Sequence, residues 1–133
     1  MQDHPTMEEL LGAIAGFLRD DVMPNTSGRV QFHARVSANV LDILQRQLRH
    51  EEAHIATEWA GLDGLLGPQA MPPSPTALRE ALHRRNEDLA RRVREGFGDE
   101  EPLRAALIAH LRTVVDNKLV IDTPALARHQ VTK

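Results

Sequence analysis

The chain is expected to be all-α: an antiparallel up-down bundle of four principal helices, with a fifth, shorter helix as an option. Three observations carry that expectation. Apolar residues recur at helical spacing in four long stretches. No stretch alternates with the period of 2 that a half-buried strand requires. Only three Phe and one Trp are present among 133 residues. A core must therefore be built from Leu, Val, Ile and Ala, whereas strands are enriched in aromatic and β-branched side chains.

The first helix signal begins at Thr6. Thr6 and Glu9 have capping-box spacing, in which each side chain satisfies a free amide of the other residue. Leu10, Ile14, Phe17 and Leu18 continue one apolar face, flanked by Met7, Leu11 and Ala13. The helix is expected to finish near Val22, because Pro24 and the Asn25–Gly28 turn follow. A connection this short predicts an αα-hairpin with the next helix.

That next helix is the centre of the chain. Val36, Val40, Ile43, Leu44 and Leu48 make its stripe, extended by Phe32 toward the start. No other segment has so long an apolar face, so the remaining helices are expected to pack on it. Ile55, Trp59, Leu62 and Leu66 keep the same phase. Residues 50–67 therefore either continue the central helix or form a separate one after a break near His50. Trp59, the largest apolar side chain, is expected to seal one end of the core.

Residues 67–75, GPQAMPPSP, hold four of the eight prolines and read as a stiff loop. Ser74 is the expected cap of a third helix, with Pro75 in its first turn. Leu78, Leu82, Leu89 and Val93 line that helix, and Gly96 and Gly98 end it. Asp99 is expected to cap a fourth helix with Pro102 in its first turn. Leu103, Leu107, Leu111, Val114 and Leu119, with Ile108 and Val115, form its apolar face. It should end near Ile121 or Asp122, before Pro124. The whole chain, 1–133, reads as a single all-helical domain.

Composition removes several functions. There is no cysteine, so disulfides, thiolate metal sites and thiol catalysis are excluded. The formal charge is -3 from 16 basic and 19 acidic residues, which argues against a general nucleic-acid surface. No apolar run approaches the ~20 residues of a membrane helix, and the start lacks the pattern of a secretory signal. The expected location is the cytoplasm, with neither nucleic acid nor membrane as partner.

Glu51–His54 and Glu80–His83 are Glu-x-x-His pairs, a spacing used by di-metal carboxylate bundles. Glu80 lies about 200° from both Leu78 and Leu82 and should face water, so no metal site is expected. No nucleophile elbow, phosphate loop or zinc signature occurs. No catalytic residue and no cofactor is assigned. The remaining candidates are polar residues beside apolar stripes. Asn39 shares a face with Phe32, Val36 and Ile43 and is expected to be buried in a hydrogen-bonded network. Asn86 lies between Leu82 and Leu89, and Asn117 follows Val114 by three. Arg29, His33 and Arg35 flank the same stretch as Asn39. These six form the candidate polar or anion-binding cluster. On the third helix, Arg84, Arg85, Arg91 and Arg92 interleave with acids. Asp88–Arg92 and Glu87–Arg91 have the favourable i,i+4 order, as on a solvated, charge-laced face.

Four blocks resemble a bacterial domain-of-unknown-function family, number 6285: MEELLGAIAGFLRDDVMP, GRVQFHARVSANVLDILQRQL, NEDLARRVREG and LRTVVDNKLVIDTP. The second block, with Phe32, His33, Arg35, Asn39 and Leu48, is the most specific. The resemblance implies a small all-helical protein of unestablished activity. It also implies a setting beside enzymes similar to aminoglycoside-type phosphotransferases or acyl-CoA dehydrogenases. The expected function is thus a non-catalytic interaction or accessory module for such an enzyme, with a homodimer as a further expectation. The competing class is an enzyme or ligand-binding protein for an anionic small molecule or acyl thioester. It would use His33 as acid or base and Arg29 or Arg35 as an anion clamp.

Overall fold

The computed structural model describes residues 3–127. It has the expected all-helical architecture with four principal helices, α1 Met7–Phe17, α2 Gly28–Leu66, α3 Pro75–Arg94 and α4 Leu103–Asp122, and a short fifth, α5 Pro124–Ala127, that follows α4 rather than arising from residues 50–67. A π-helical turn, Leu18–Val22, prolongs α1 to the expected end. The question at residues 50–67 is settled for one helix, since α2 runs unbroken for 39 residues. No strand occurs among the described residues.

Backbone contacts divide the chain into two compact units. One comprises residues up to Glu51 together with those from Val120 on, and the other is Glu52–Leu119.

In the first unit, α1 begins at the predicted capping box. Thr6 N–H donates to Glu9 Oε2 at 2.6 Å, and Glu9 N–H donates to Thr6 Oγ1 at 3.2 Å. The Glu9 carboxyl is held below its ordinary range by the Thr6 backbone donor, helped by His4 and the Thr6 hydroxyl. The hairpin closes on small residues: Ala15, Ala34 and Ala38 are all buried. Polar side chains tie its two helices together. Gln45 Nε2 donates to the Glu8 carbonyl at 2.9 Å, and Arg19 pairs with Asp42. Arg49 pairs with Glu8, whose carboxylate raises the Arg49 pKa. Arg46 caps the end of α4 by donating to the Ile121 carbonyl.

This packing corrects the expected core. Phe32, Val36, Val40, Leu44 and Leu48 are exposed, and only Ile43 of the predicted stripe is half-buried. The reason is steric. Alanine and glycine let two helix axes approach more closely than Val or Leu, so α1 docks on the alanine side of α2 rather than on its aliphatic side.

The second unit has the conventional core. Leu62, with 0% exposure, packs with Leu89 and Leu107, and Leu65, Leu66, Leu82 and Phe97 close around them. Trp59 is buried, as expected. Ser74 caps α3, accepting from the Ala77 amide at 3.2 Å, with Pro75 in the first turn. Gly96, at φ +99°, ends α3. The Phe97 amide reaches back to the Arg92 carbonyl at 2.9 Å, the six-to-one bond of a Schellman motif, and carries the Phe97 ring into the core. The predicted Asp99 cap of α4 is not formed. Asp99 sits against Gly96, and the Glu101 carboxylate accepts the Ala105 amide instead. Val93, Ile108, Leu111 and Val115 are exposed, again against expectation.

Candidate functional site

The six predicted polar residues fall into both units. Arg29, His33, Arg35 and Asn39 belong to the first and are all exposed, so the expected burial of Asn39 is not met. The Phe32 and His33 rings meet edge to face at 5.6 Å. Asn86 and Asn117 belong to the second unit and are half-buried. Asn86 Nδ2 donates to Glu58 Oε1 at 2.7 Å.

Sequence reasoning passed over the most elaborate polar corner. Arg85 is buried, with 6% exposure, on the core side of α3. Its Nη1 donates to Asp63 Oδ1 at 2.8 Å and its Nη2 to the Gly67 carbonyl at 3.1 Å. Trp59 Nε1 donates to the Gln69 carbonyl at 3.1 Å, and the Gln69 amide donates to Asp63 Oδ1 at 3.2 Å. The corner thereby satisfies the end of α2 and the start of the proline-rich loop. A cleft of about 410 Å³ opens beside it, lined in part by Gly67, Pro68, Arg84, Arg85, Asp88 and Arg92. Three guanidiniums suggest an anion, yet their charge is already met from within. Arg85 has Asp63, Arg92 has Asp88 at 2.9 Å, and Arg84 is within 3.9 Å of Glu80. Arg91 pairs with Asp88 and Glu95 rather than with Glu87, which lies 3.4 Å from His83. The Arg91 bond holds the Asp88 carboxyl below its ordinary range.

His110 was also missed. It lies in the second unit with 8% exposure, and its Nε2 has no hydrogen-bond partner among the described residues. The ring takes the space a side chain at position 61 would need. A Cβ on Gly61 would come 2.2 Å from His110 Nδ1. Burial lowers the His110 pKa, and the Glu58 carboxylate opposes that shift. An open groove of about 330 Å³ runs past it, lined largely by small residues including Gly61, Gly64, Ala106 and Ala109. No three metal-capable side chains come together among the described residues.

The most unusual surface is apolar and belongs to the first unit. Val36, Val40, Leu44 and Leu48 are between 42% and 48% exposed, continued by Phe32. On α1, Met7, Leu10, Ile14 and Phe17 are between 43% and 65% exposed. At about 100° per residue, each stripe is turned roughly 130° from the face its helix gives the other, in the same sense in both. In an antiparallel hairpin, equal turns of that kind emerge on the same side. The nine side chains leave on the order of 700 Å² of apolar surface to water, beyond the few hundred Å² of an ordinary monomer's largest patch.

No helix among the described residues is long and apolar enough to cross a membrane. No curated protein and no solved structure is significantly similar to the chain. The family of the domain of unknown function DUF6285 matches residues 24–126, and the chain belongs to it.

Proposed function

We propose that this member of the DUF6285 family is a non-catalytic interaction module, and that its working surface is the bare apolar face of α1 and the first half of α2. The observation that carries this reading is the contrast within one hairpin. Alanines are buried between the helices, while nine large apolar side chains face water. Leaving such side chains in water forgoes about 25 cal/mol for each Å² that a partner would cover. The charged groups of the second unit point the same way, because the arginines around its cleft are already paired with acids of the same chain.

Less supports an enzyme or an anion-binding protein. His33, Arg29 and Arg35 are exposed on one helix, and none of them lines either cavity described above. The family resemblance suggests an accessory role beside a phosphotransferase-like or acyl-CoA dehydrogenase-like enzyme, and the bare face is a surface suited to such protein contacts.

The test is native mass spectrometry of the protein taken from its own cells, with wild type compared to Leu44→Arg. The expected result is a complex for wild type and its loss for the variant, with helical circular dichroism unchanged. A wild-type chain that carries no protein partner of any kind, its own copy included, ends the interaction reading.

A further inference from the structure

We infer that the occupant of this face is a second copy of the same chain, joined through an antiparallel contact of α2 with α2 about a two-fold axis level with residue 42. The inference rests on the interaction reading above and names its partner.

Four members of the stripe, Val36, Val40, Leu44 and Leu48, are centred on residue 42 and set the symmetry. Phe32, Val36, Val40, Leu44 and Leu48 form one stripe at spacing of four, and such a stripe faces its mate over several turns when two helices lie about 20° off antiparallel, as in four-helix bundles. Positions 36 and 48 are equally distant from 42, and so are 40 and 44. An antiparallel pair in this register therefore sets Val36 against Leu48 of the second copy and Val40 against Leu44 of the second copy. Both pairings place a valine opposite a leucine, and Phe32 falls at the rim, level with Glu52 of the second copy. A parallel pairing would set each residue against itself and bring Arg29 over Arg29. The antiparallel register instead sets His33 level with Glu51 of the second copy, and Arg35 level with Arg49 of the second copy, a guanidinium that Glu8 already pairs within each chain.

The extent of the surface also fits a copy. Two-fold dimers use one self-complementary patch on both subunits. Each partner in a standard interface contributes about 800 Å², close to what the two stripes of one hairpin expose together. Two hairpins laid face to face would make a four-helix layer, the usual way such apolar faces are covered.

The experiment exploits the absence of cysteine, since engineered thiols meet no background. Sedimentation equilibrium of the purified full chain should give twice 14.8 kDa. Val40→Glu should retain its helical circular dichroism and raise the dimer dissociation constant on the order of a hundredfold, because two carboxylates enter the seam. The double variant V36C/L48C should form an intermolecular disulfide under mild oxidation. V36C alone should not, since its two copies would lie about 18 Å apart along the antiparallel helices, beyond the roughly 7 Å that a disulfide spans.

Wild-type protein that sediments as a monomer at all concentrations overturns the inference. So does a dimer that survives Val40→Glu, or one in which V36C alone links as readily as the pair. A monomeric isolated chain whose complex from native cells is nevertheless lost in Leu44→Arg shows that the copy is the wrong partner while the interaction reading holds. A monomeric chain that carries no partner from native cells either defeats both.

Discussion

The guanidinium carbon of Arg85 lies 4.5 Å from the centre of the Trp59 ring, a buried cation over an aromatic face. The same guanidinium reaches Asp63 and the Gly67 carbonyl, so one side chain of α3 holds the last two turns of α2 and the residue after them in three ways. Removing one member of a buried pair usually costs about 3–5 kcal/mol. Asp63 retains some contact with water, which reduces that figure.

Arg85→Ala should therefore destabilise the protein by about 2–3 kcal/mol, read from urea unfolding. Arg85→Lys should recover only part of the loss, because an ammonium cannot reproduce the planar fork over the ring. A midpoint unchanged in Arg85→Ala would show that the corner is an incidental surface contact.

A second prediction contrasts two leucines of α2. Leu62 is fully enclosed, and Leu62→Ala should cost about 2–5 kcal/mol at any protein concentration. Leu44 is half exposed in a single chain, so Leu44→Ala should cost under about 1 kcal/mol where the protein is dilute. If a second copy covers it, that cost grows with concentration, since association contributes to apparent stability by mass action. Equal losses for the two variants in dilute solution would contradict the exposure described above.

Much of this fold was legible in the sequence. Thr6–Glu9, Ser74–Pro75 and Gly96 marked helix ends through local chemistry, and each acts as its type requires. The helical spacing of Ile55, Trp59 and Leu62 was read correctly as well, though Leu48 in the same phase is exposed, and periodicity alone could not separate one helix from two. Periodicity failed at the partner. It shows that Val36, Val40, Leu44 and Leu48 share a face, yet not that α1 would choose the alanines of the opposite side. Two polar core residues could have been found by the same spacing argument. Arg85 continues Leu78 and Leu82 toward Leu89 at steps of 4, 3 and 4, and His110 occupies the equivalent place between Leu107 and Val114. Both were passed over because only apolar residues were counted into the stripes. The six polar candidates beside those stripes included neither.

His110 gives a pH prediction with a definite sign. Its folded-state pKa is lowered by burial from the ordinary value of 6.5. Below that value the unfolded chain takes up a proton that the folded chain resists, so stability falls as pH drops. The loss begins near pH 6.5 and levels off once pH passes below the depressed folded value. Above pH 6.5 this group contributes no slope. Urea midpoints at pH 7.5 and 5.5 should differ in wild type, and the difference should shrink in His110→Leu. That variant should also be neutral or more stable at pH 7.5, because it removes a buried Nε2 that lacks a partner. A pH response identical in the two proteins would assign the slope to other groups.

The last prediction joins His110 to Gly61. In an exposed helix interior, Gly→Ala should stabilise by about 1 kcal/mol through backbone entropy alone. Here the added Cβ would overlap the His110 ring at Nδ1, so the buried imidazole would have to leave its present place. Overpacking of this kind costs about 1–3 kcal/mol, so Gly61→Ala should be destabilising on balance despite its better helix propensity. The cause can be isolated by a double-mutant cycle. His110→Ala removes the ring and opens the space that the new methyl needs. In that background Gly61→Ala should become neutral or stabilising, a coupling on the order of 2 kcal/mol between the two positions. Gly64 supplies the control, since a Cβ there would meet nothing within 4 Å. Gly64→Ala should raise stability whether or not His110 is present. If Gly61→Ala is as harmful without the imidazole as with it, the glycine is required by something other than the approach of His110.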